Sequence, residues 1–198
     1  MPAVLRRTDA RIAASVLLVL VLAMGWTRDT LAVFTDSDAN GSNTFTASTI
    51  SLTLNPTSAL ITYSNMQPGD SVTNSIVVTN NGGSQLRYAI SSSATNTDTK
   101  GLKDQLVLTI KTIDVTTPGT PCNDFDGTQL YTGDLDSTAG KLVGDNTQGA
   151  QAGDRTLNAS ANETLCFRAS LPLATSNTYQ GATTTATFTW DSEQTANN

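Results

Sequence analysis

Residues 72–90, VTNSIVVTNNGGSQLRYAI, decide the fold class of this chain. The β-branched run at 72–79 is followed by the turn signal NNGG at 80–83 and by an alternating run at 86–90. β-Branched residues favour strands because their side chains pack well on a pleated surface. Two such runs joined by Asn and Gly predict a β-hairpin.

Further short runs typical of β-strands continue through the chain and are separated by turn residues. They lie at residues 50–54, 59–63, 106–113, 128–132, 165–171 and 183–190. Several short strands with regular turns predict an all-β fold, a two-sheet antiparallel sandwich, in one domain over residues 34–198. Residues 91–99 are predicted as a polar linker. Residues 114–162, rich in Gly, Asp, Asn and Thr, are predicted as a loop-rich insertion.

Residues 1–33 predict an N-terminal signal peptide. Three arginines within residues 6–11 precede an apolar run from Ile12 to Met24, which is the arrangement of a secretory leader. The run is short for a membrane span, which needs about 20 residues, and an uncleaved anchor is the alternative. Small residues predict cleavage before Val33 or before Phe34.

The charge and the missing histidine limit the functions that this chain can have. It has 198 residues, 17 acidic, 11 basic and no His, with a net charge of -6. Residues 1–33 hold four basic and two acidic residues, so the remainder carries a net charge of about −8. Without His the chain lacks the most common general base and zinc ligand, which disfavours an enzyme. The acidic balance argues against a nucleic-acid partner, and we expect membrane contact only through the signal peptide.

Cys122 and Cys166 are the two cysteines of the sequence. Export would take them to a compartment in which disulfides persist. A reactive or metal-bound thiol pair is the alternative, but the spacing matches no metal motif. We therefore predict a structural disulfide that closes a loop of about 45 residues and stabilises the fold by roughly 4 kcal/mol.

Residues 36–41, DSDANG, match the first half of an EF-hand calcium loop. Ala47 occupies the position at which such a loop needs a bidentate Glu. We therefore expect a solvated turn, with Asp36, Asp38 and Asn40 as weak calcium candidates, and we expect no cofactor.

Residues 34–48 follow the predicted cleavage site and are polar apart from a few residues that include Phe34 and Phe45. A sandwich that lacks one strand has an exposed edge. A peptide segment can add to such an edge by β-augmentation, as in donor-strand complementation. Repeated head to tail, this contact makes a filament. A frayed N-terminus is the alternative interpretation.

Three stretches of the chain, in order, resemble the TasA/camelysin family of secreted matrix proteins. They are LAVFTD at 31–36 with NTFTASTISL at 43–52, MQPGDSV at 66–72 with VTNNG at 78–82, and NTYQG at 177–181 with ATFTW at 186–190. Their turn residues are Pro68, Gly69, Asp70, Asn81, Gly82, Tyr179 and Gly181. Ser48 and Thr49 depart from the family pattern, which has a Gly-containing pair there.

The resemblance implies a jelly-roll-like antiparallel β-sandwich that is secreted and trimmed by a dedicated signal peptidase. It implies a subunit of an extracellular biofilm-matrix fibre that binds further copies of itself through its mature N-terminus, with an accessory or anchoring matrix protein as another partner. The donor segment would then include Phe34, Asp36, Phe45 and Ile50.

Two alternatives to the fibre subunit stay open at this point. A monomeric Ig-like adhesion or binding module would have its N-terminus paired inside its own domain. Some family members are classed as zinc metalloendopeptidases. A chain without His would have to build such a site from carboxylates and cysteines, unlike the usual catalytic zinc sites, so we do not expect peptidase activity.

Overall fold

The computed structural model describes residues 47–137 and 139–196 of the chain. These residues form nine β-strands and two 3₁₀ helices, Leu102–Asp104 and Asn177–Tyr179. The strands are β1 Leu52–Asn55, β2 Ser71–Asn80, β3 Leu86–Ala94, β4 Val107–Thr112, β5 Gln129–Asp134, β6 Lys141–Val143, β7 Arg155–Leu157, β8 Asn162–Ser170 and β9 Ala186–Gln194. No helix in this part of the chain is long and apolar enough to cross a membrane.

The strands form two antiparallel sheets, which confirms the all-β prediction. The first sheet has the order β1-β2-β8-β4-β5. In the second sheet β3 is central, with β9 on one side and the short strands β6 and β7 on the other. β3 pairs with β9 over its whole length, from Leu86 opposite Gln194 to Ala94 opposite Ala186.

The two sheets share one hydrophobic core, and alternate residues of the longer strands point into it. The first sheet contributes Ile76, Val78, Leu108, Ile110, Leu165 and Phe167, and the second contributes Leu86, Tyr88, Ile90, Leu142, Val143 and Leu157. Phe167 of the first sheet meets Phe188 of the second in an edge-on contact, with ring centroids 5.4 Å apart. Burial of side chains of this size contributes about 1.5–3 kcal/mol each, so this core is the main source of stability.

The predicted hairpin between residues 72–79 and 86–90 is wrong, because its two strands lie in different sheets. β2 pairs with β1 and β8, whereas β3 pairs with β6, β7 and β9. The turn at 80–83 therefore carries the chain from one sheet to the other. The local pattern identified both strands and the turn, but strand partners depend on contacts distant in sequence.

Other segments also differ from the sequence predictions. Residues 59–63 form no strand, although Leu60 packs into the core from the loop. β3 continues to Ala94, into the predicted polar linker. Residues 114–162, predicted as loop-rich, contain β5, β6 and β7 together with turns and loops.

The predicted disulfide between Cys122 and Cys166 is present and fixes a loop to the outer face of the first sheet. This disulfide loop, residues 113–128, joins β4 to β5. Its Phe125 is buried and forms a small second core with the two cysteines. The Arg168 guanidinium lies 3.9 Å from the centroid of the Phe125 ring, and the Lys111 ammonium lies 4.9 Å from it.

A second loop, residues 144–154, lies against the outer face of the second sheet. The Gly149 amide donates to the Glu193 carboxylate of β9 at 3.0 Å, and Glu193 also pairs with Arg87 of β3 at 3.1 Å. A polar cleft of about 150 Å³ lies between this loop and the sheet. These two loops therefore cover parts of both outer faces.

A partly buried polar bridge joins the two sheets through Glu163 of β8. Its carboxylate accepts a hydrogen bond from the Tyr88 hydroxyl at 2.6 Å and pairs with the Arg155 guanidinium. Burial, followed by the charge of Glu163, raises the pKa of Tyr88 well above its usual value. The hydrogen bond to Glu163 raises the pKa of Arg155. Tyr88 is thus a neutral donor and Arg155 a cation at any physiological pH.

The predicted signal peptide, residues 1–33, and most of the predicted donor segment lie outside the described residues.

Removing the disulfide should destabilise the domain. We expect Cys122→Ala with Cys166→Ala to lower the free energy of unfolding by about 4 kcal/mol, because the bridge closes a long loop in the unfolded chain. Urea unfolding followed by tryptophan fluorescence measures this difference. The reduced wild-type protein should match the double variant, and reductant should leave the variant unchanged. Equal stability with and without the bridge would contradict the prediction.

Candidate assembly site

Asn80, the last residue of β2, organises the end of the sandwich where the chain changes sheets. Its side chain is fully buried. The amide nitrogen donates to the backbone carbonyls of Ser84, Leu157 and Asn158 at 2.8, 3.1 and 3.0 Å. The amide oxygen accepts from the Gly82 amide at 2.9 Å. One side chain therefore joins β2 to the start of β3 and to the connection between β7 and β8.

The NNGG turn, residues 80–83, also holds the segment that precedes β1. The amides of Asn81 and Gly83 donate to the carbonyls of Ser51 and Thr49 at 2.7 and 3.0 Å. A Cβ atom at Gly82 would lie 2.3 Å from the Thr49 carbonyl oxygen, so a side chain there would displace the segment. The described part of the chain therefore begins, at Ala47, close to this end of the sandwich, here called the NNGG end, and most of the predicted donor segment precedes Ala47 in the sequence.

The structure describes one of the four predicted donor residues. Ile50 lies between Thr49 and Ser51, whose carbonyls are bound by the NNGG turn, and its side chain is exposed. The backbone on both sides of Ile50 is therefore hydrogen-bonded to its own domain. Phe34, Asp36 and Phe45 lie outside the described residues, as do the calcium candidates Asp36, Asp38 and Asn40.

The other turn residues of the family pattern lie at the opposite end of the sandwich, here called the PGD end after residues 68–70. The Asp70 amide donates to the Gln67 carbonyl at 2.9 Å, and Gly69 has a φ of 97°. These features define a turn with Pro second and Gly third, in which only Gly is unstrained. Tyr179 and Gly181 belong to the exposed connection from β8 to β9. The two groups of turns therefore do not form one site.

Among the described residues, β1 and β9 are edge strands of the first and second sheets, and the side of the sandwich between them is here called the open side. β1 has four residues and pairs with the last four residues of β2, so residues 71–76 of β2 have no strand beside them on that side among the described residues. β9 has nine residues and pairs with β3 alone within the described part of the chain. A long edge strand presents a row of unpaired N–H and C=O groups to any extended peptide.

Aromatic side chains line this open side. Phe188 and Trp190 of β9 point toward the core but are only partly buried. Their rings lie 5.4 and 6.0 Å from that of Phe167, measured between centroids. The Trp190 indole nitrogen is shielded from water and has no hydrogen-bond partner among the described residues. A buried donor without an acceptor costs about 1–3 kcal/mol, which a carbonyl group brought to this site would recover.

The pattern at 183–190 predicted a strand that contains Phe188 and Trp190, but it did not identify β9 as an open edge. Asn80 was also missed. The signal for Asn80 was the pair of Asn residues that precedes two glycines. The turn itself requires one Asn, which leaves the other for a different role.

The described residues contain no cluster suited to metal catalysis. Within 47–137 and 139–196, no group of three Asp, Glu, Cys or His side chains could hold a metal ion. The carboxylates of the cleft beside the 144–154 loop bind groups of the protein itself: Asp154 accepts from the amides of Asp145 and Gln151. The Lys141 hydrogen bond, followed by those from Thr147, lowers the pKa of Asp145 to about 2. These carboxylates anchor the loop.

Asn80 should contribute much more to stability than its neighbour Asn81. Asn80→Ala leaves several buried backbone groups without partners, and we expect a loss of roughly 3 kcal/mol or more. Asn81 makes one exposed side-chain hydrogen bond, to Thr53 at 2.8 Å. Asn81→Ala should therefore cost less than about 1 kcal/mol. Urea unfolding of both variants tests this, and equal losses would contradict it.

Comparison with known families identifies the chain. It matches the model described as camelysin metallo-endopeptidase over residues 4–198. A comparison with curated proteins found no match. The family match covers nearly the whole chain and agrees with the resemblance carried by the N-terminal, PGD and NTYQG stretches. The chain therefore belongs to the TasA/camelysin family, whose model is described as camelysin metallo-endopeptidase.

Proposed function

We propose that this chain is a secreted structural subunit of an extracellular, biofilm-matrix filament, and that it polymerises by donor-strand complementation. The N-terminal arm, residues 34–46, of one copy would fill the open side of the next copy. The observation that carries this proposal is that, within the described residues, β9 pairs with β3 as its one strand partner and lies beside incompletely buried aromatic side chains.

The open side has the two features that a donor strand needs. Alternate residues of the nine-residue strand β9 offer backbone hydrogen bonds along an edge, and such bonds supply affinity in β-augmentation. Phe188 and Trp190 offer apolar surface to a phenylalanine of the arm. The Trp190 indole N–H would find a carbonyl acceptor on the incoming strand.

The attachment of the arm favours polymers over closed dimers. The arm joins its own domain at the NNGG end, where Thr49 and Ser51 bind the turn. A contact between an arm and a different surface on another copy is heterologous, so it leaves one free arm and one free edge after every addition. Such contacts extend into filaments unless a rotation closes them into a ring.

The disulfide and the leader support export. A disulfide of this kind persists in oxidising compartments, and residues 1–33 have the pattern of a signal peptide. We infer cleavage by a signal peptidase, self-association outside the cell, and an accessory or anchoring matrix protein as a further partner. The repeated passage of the chain between the two sheets supports the jelly-roll-like description.

Deleting residues 34–46 should leave stable monomers. Ala47 is kept as the first residue because Thr49 and Ser51 bind the NNGG turn. We expect the mature chain to form fibres in electron micrographs and the truncated chain to sediment as a folded monomer. A chain in which residues 34–46 are scrambled is the matched control and should also stay monomeric. Fibres of the truncated chain would overturn the proposal.

A synthetic peptide of residues 34–46 supplies a direct readout of this binding. Trp26 and Trp190 are the two tryptophans of the sequence, so Trp190 is the sole tryptophan of the truncated chain. We expect the peptide to shift the Trp190 emission to shorter wavelength and the scrambled peptide to leave it unchanged. The same peptide should cap and shorten wild-type fibres.

The family description favours metallo-endopeptidase as a second candidate function. The absence of His from the sequence counts against it, because catalytic zinc sites usually contain His. Casein hydrolysis by the purified chain, abolished by chelator and restored by zinc, would support the peptidase. We expect the purified chain to leave casein intact in the presence of zinc.

A further inference from the structure

The large exposed apolar side chains of the described residues do not lie on the middle of either sheet. They are Ile50, Tyr63, Val115 and Leu173, with 41, 48, 66 and 81% of their surface exposed. Tyr63 and Leu173 lie at the PGD end, and Ile50 lies at the NNGG end. Val115 follows the end of β4, three strands away from β1 in the first sheet. Single exposed apolar residues are common, but a cluster of them marks an interaction surface.

The PGD end carries such a cluster, here called the PGD patch: Tyr63, Pro68, Pro172 and Leu173, all exposed. The Tyr63 hydroxyl donates to the Asp70 carboxylate at 3.1 Å, which places the ring beside the turn. Leu173 lies over the same turn, since its Cδ1 atom would be 3.5 Å from a Cβ atom at Gly69. Leu171 is the last buried core residue before Leu173 along the chain. Leu173 is therefore not needed to fill the core.

At the opposite end, Ile50 is held outward by its neighbours. The carbonyls of Thr49 and Ser51 accept hydrogen bonds from the NNGG turn, which fixes the backbone on both sides of Ile50. Ile50 precedes β1, and the PGD patch adjoins the start of β2, so both border the open side of the sandwich. The two apolar surfaces are thus separated along the length of β2, about 33 Å for its ten residues.

We propose that the PGD patch of one copy of this chain packs against Ile50 and the NNGG turn of the preceding copy. This inference rests on the proposed function, which brings the arm of one copy into the next. The thirteen residues 34–46 leave the domain next to Ile50 and can span at most about 45 Å. That reach exceeds the length of β2, so the arm can enter the next copy at its PGD end and follow the whole open side.

The partner that fits the PGD patch is a second copy of this chain, because the arm brings that copy to it. An arm anchored beside Ile50 and bound in the open side of the next copy brings the PGD end of that copy close to its own NNGG end. The patch and Ile50 would then lose their exposed apolar surface together, which adds to the affinity of the arm. The contact also sets the angle between subunits, because it fixes both ends of each joint.

Cysteine crosslinking tests this contact in the full mature chain. The native cysteines are paired with each other, so introduced thiols report new contacts. We expect Ile50→Cys with Leu173→Cys to give a ladder of covalent oligomers on mild oxidation. Val115→Cys with Leu173→Cys is the matched control, since Val115 is also exposed, and should give no ladder. Equal ladders from both pairs, or a ladder from neither, would overturn the inference.

A charge test provides a second readout. Leu173→Asp should slow fibre elongation about ten-fold or more and leave the folded monomer as stable as wild type, because Leu173 is mostly exposed. Val115→Asp should leave elongation unchanged. Adding Ile50→Lys to Leu173→Asp should restore much of the rate, since the new charges attract one another across the contact.

The outcomes separate this inference from the filament proposal. Arm-dependent fibres without the Ile50–Leu173 crosslink would overturn the end contact and leave donor-strand assembly intact. A specific crosslink in a chain that forms no arm-dependent fibres would support the end contact and overturn donor-strand assembly.

Discussion

The buried side-chain amide of Asn80 holds together the point at which the chain passes from the first sheet to the second. Three carbonyls and one amide depend on it, and an unpartnered group in that position costs about 1–3 kcal/mol. Because the same turn binds Thr49 and Ser51, Asn80 also fixes where the N-terminal segment meets the domain. The fold and the candidate assembly site therefore depend on the same hydrogen bonds, at the NNGG turn that follows β2.

The sequence predicts those parts of the fold that local chemistry determines. Alternation at 165–171 and 183–190 identifies β8 and β9 to within a few residues, since inward positions must be apolar. The PGD turn follows from Pro and Gly in fixed order. The sequence does not predict that β2 and β3 separate into different sheets, because partner choice depends on burial against β8 and β9, far along the chain. β6 and β7 have three residues each, too few to show a period.

The candidate site also has a part that the sequence predicts and a part that it does not. Composition and the resemblance to a family led to the inference that a polar N-terminal segment completes a sandwich. Which edge lies open could not be read from the pattern, because an edge is defined by the strands that are missing beside it. β9 reads as an ordinary core strand, with Phe188 and Trp190 on its inward face. Its role depends on sheet order, which places it beside β3 and at the margin of the second sheet.

The covered outer faces have a consequence for the thickness of any assembly. The disulfide loop on the first sheet and the 144–154 loop on the second present acidic and polar groups to the surroundings, with Phe125 enclosed beneath the first of them. Flat sheet faces that could stack on one another are interrupted by these loops, so lateral association into thick bundles is opposed by shape and by like charge. In the proposed filament, end-to-end growth would leave both loops on its flanks. A change in loop sequence would then alter the surface of that filament without disturbing the contacts that build it.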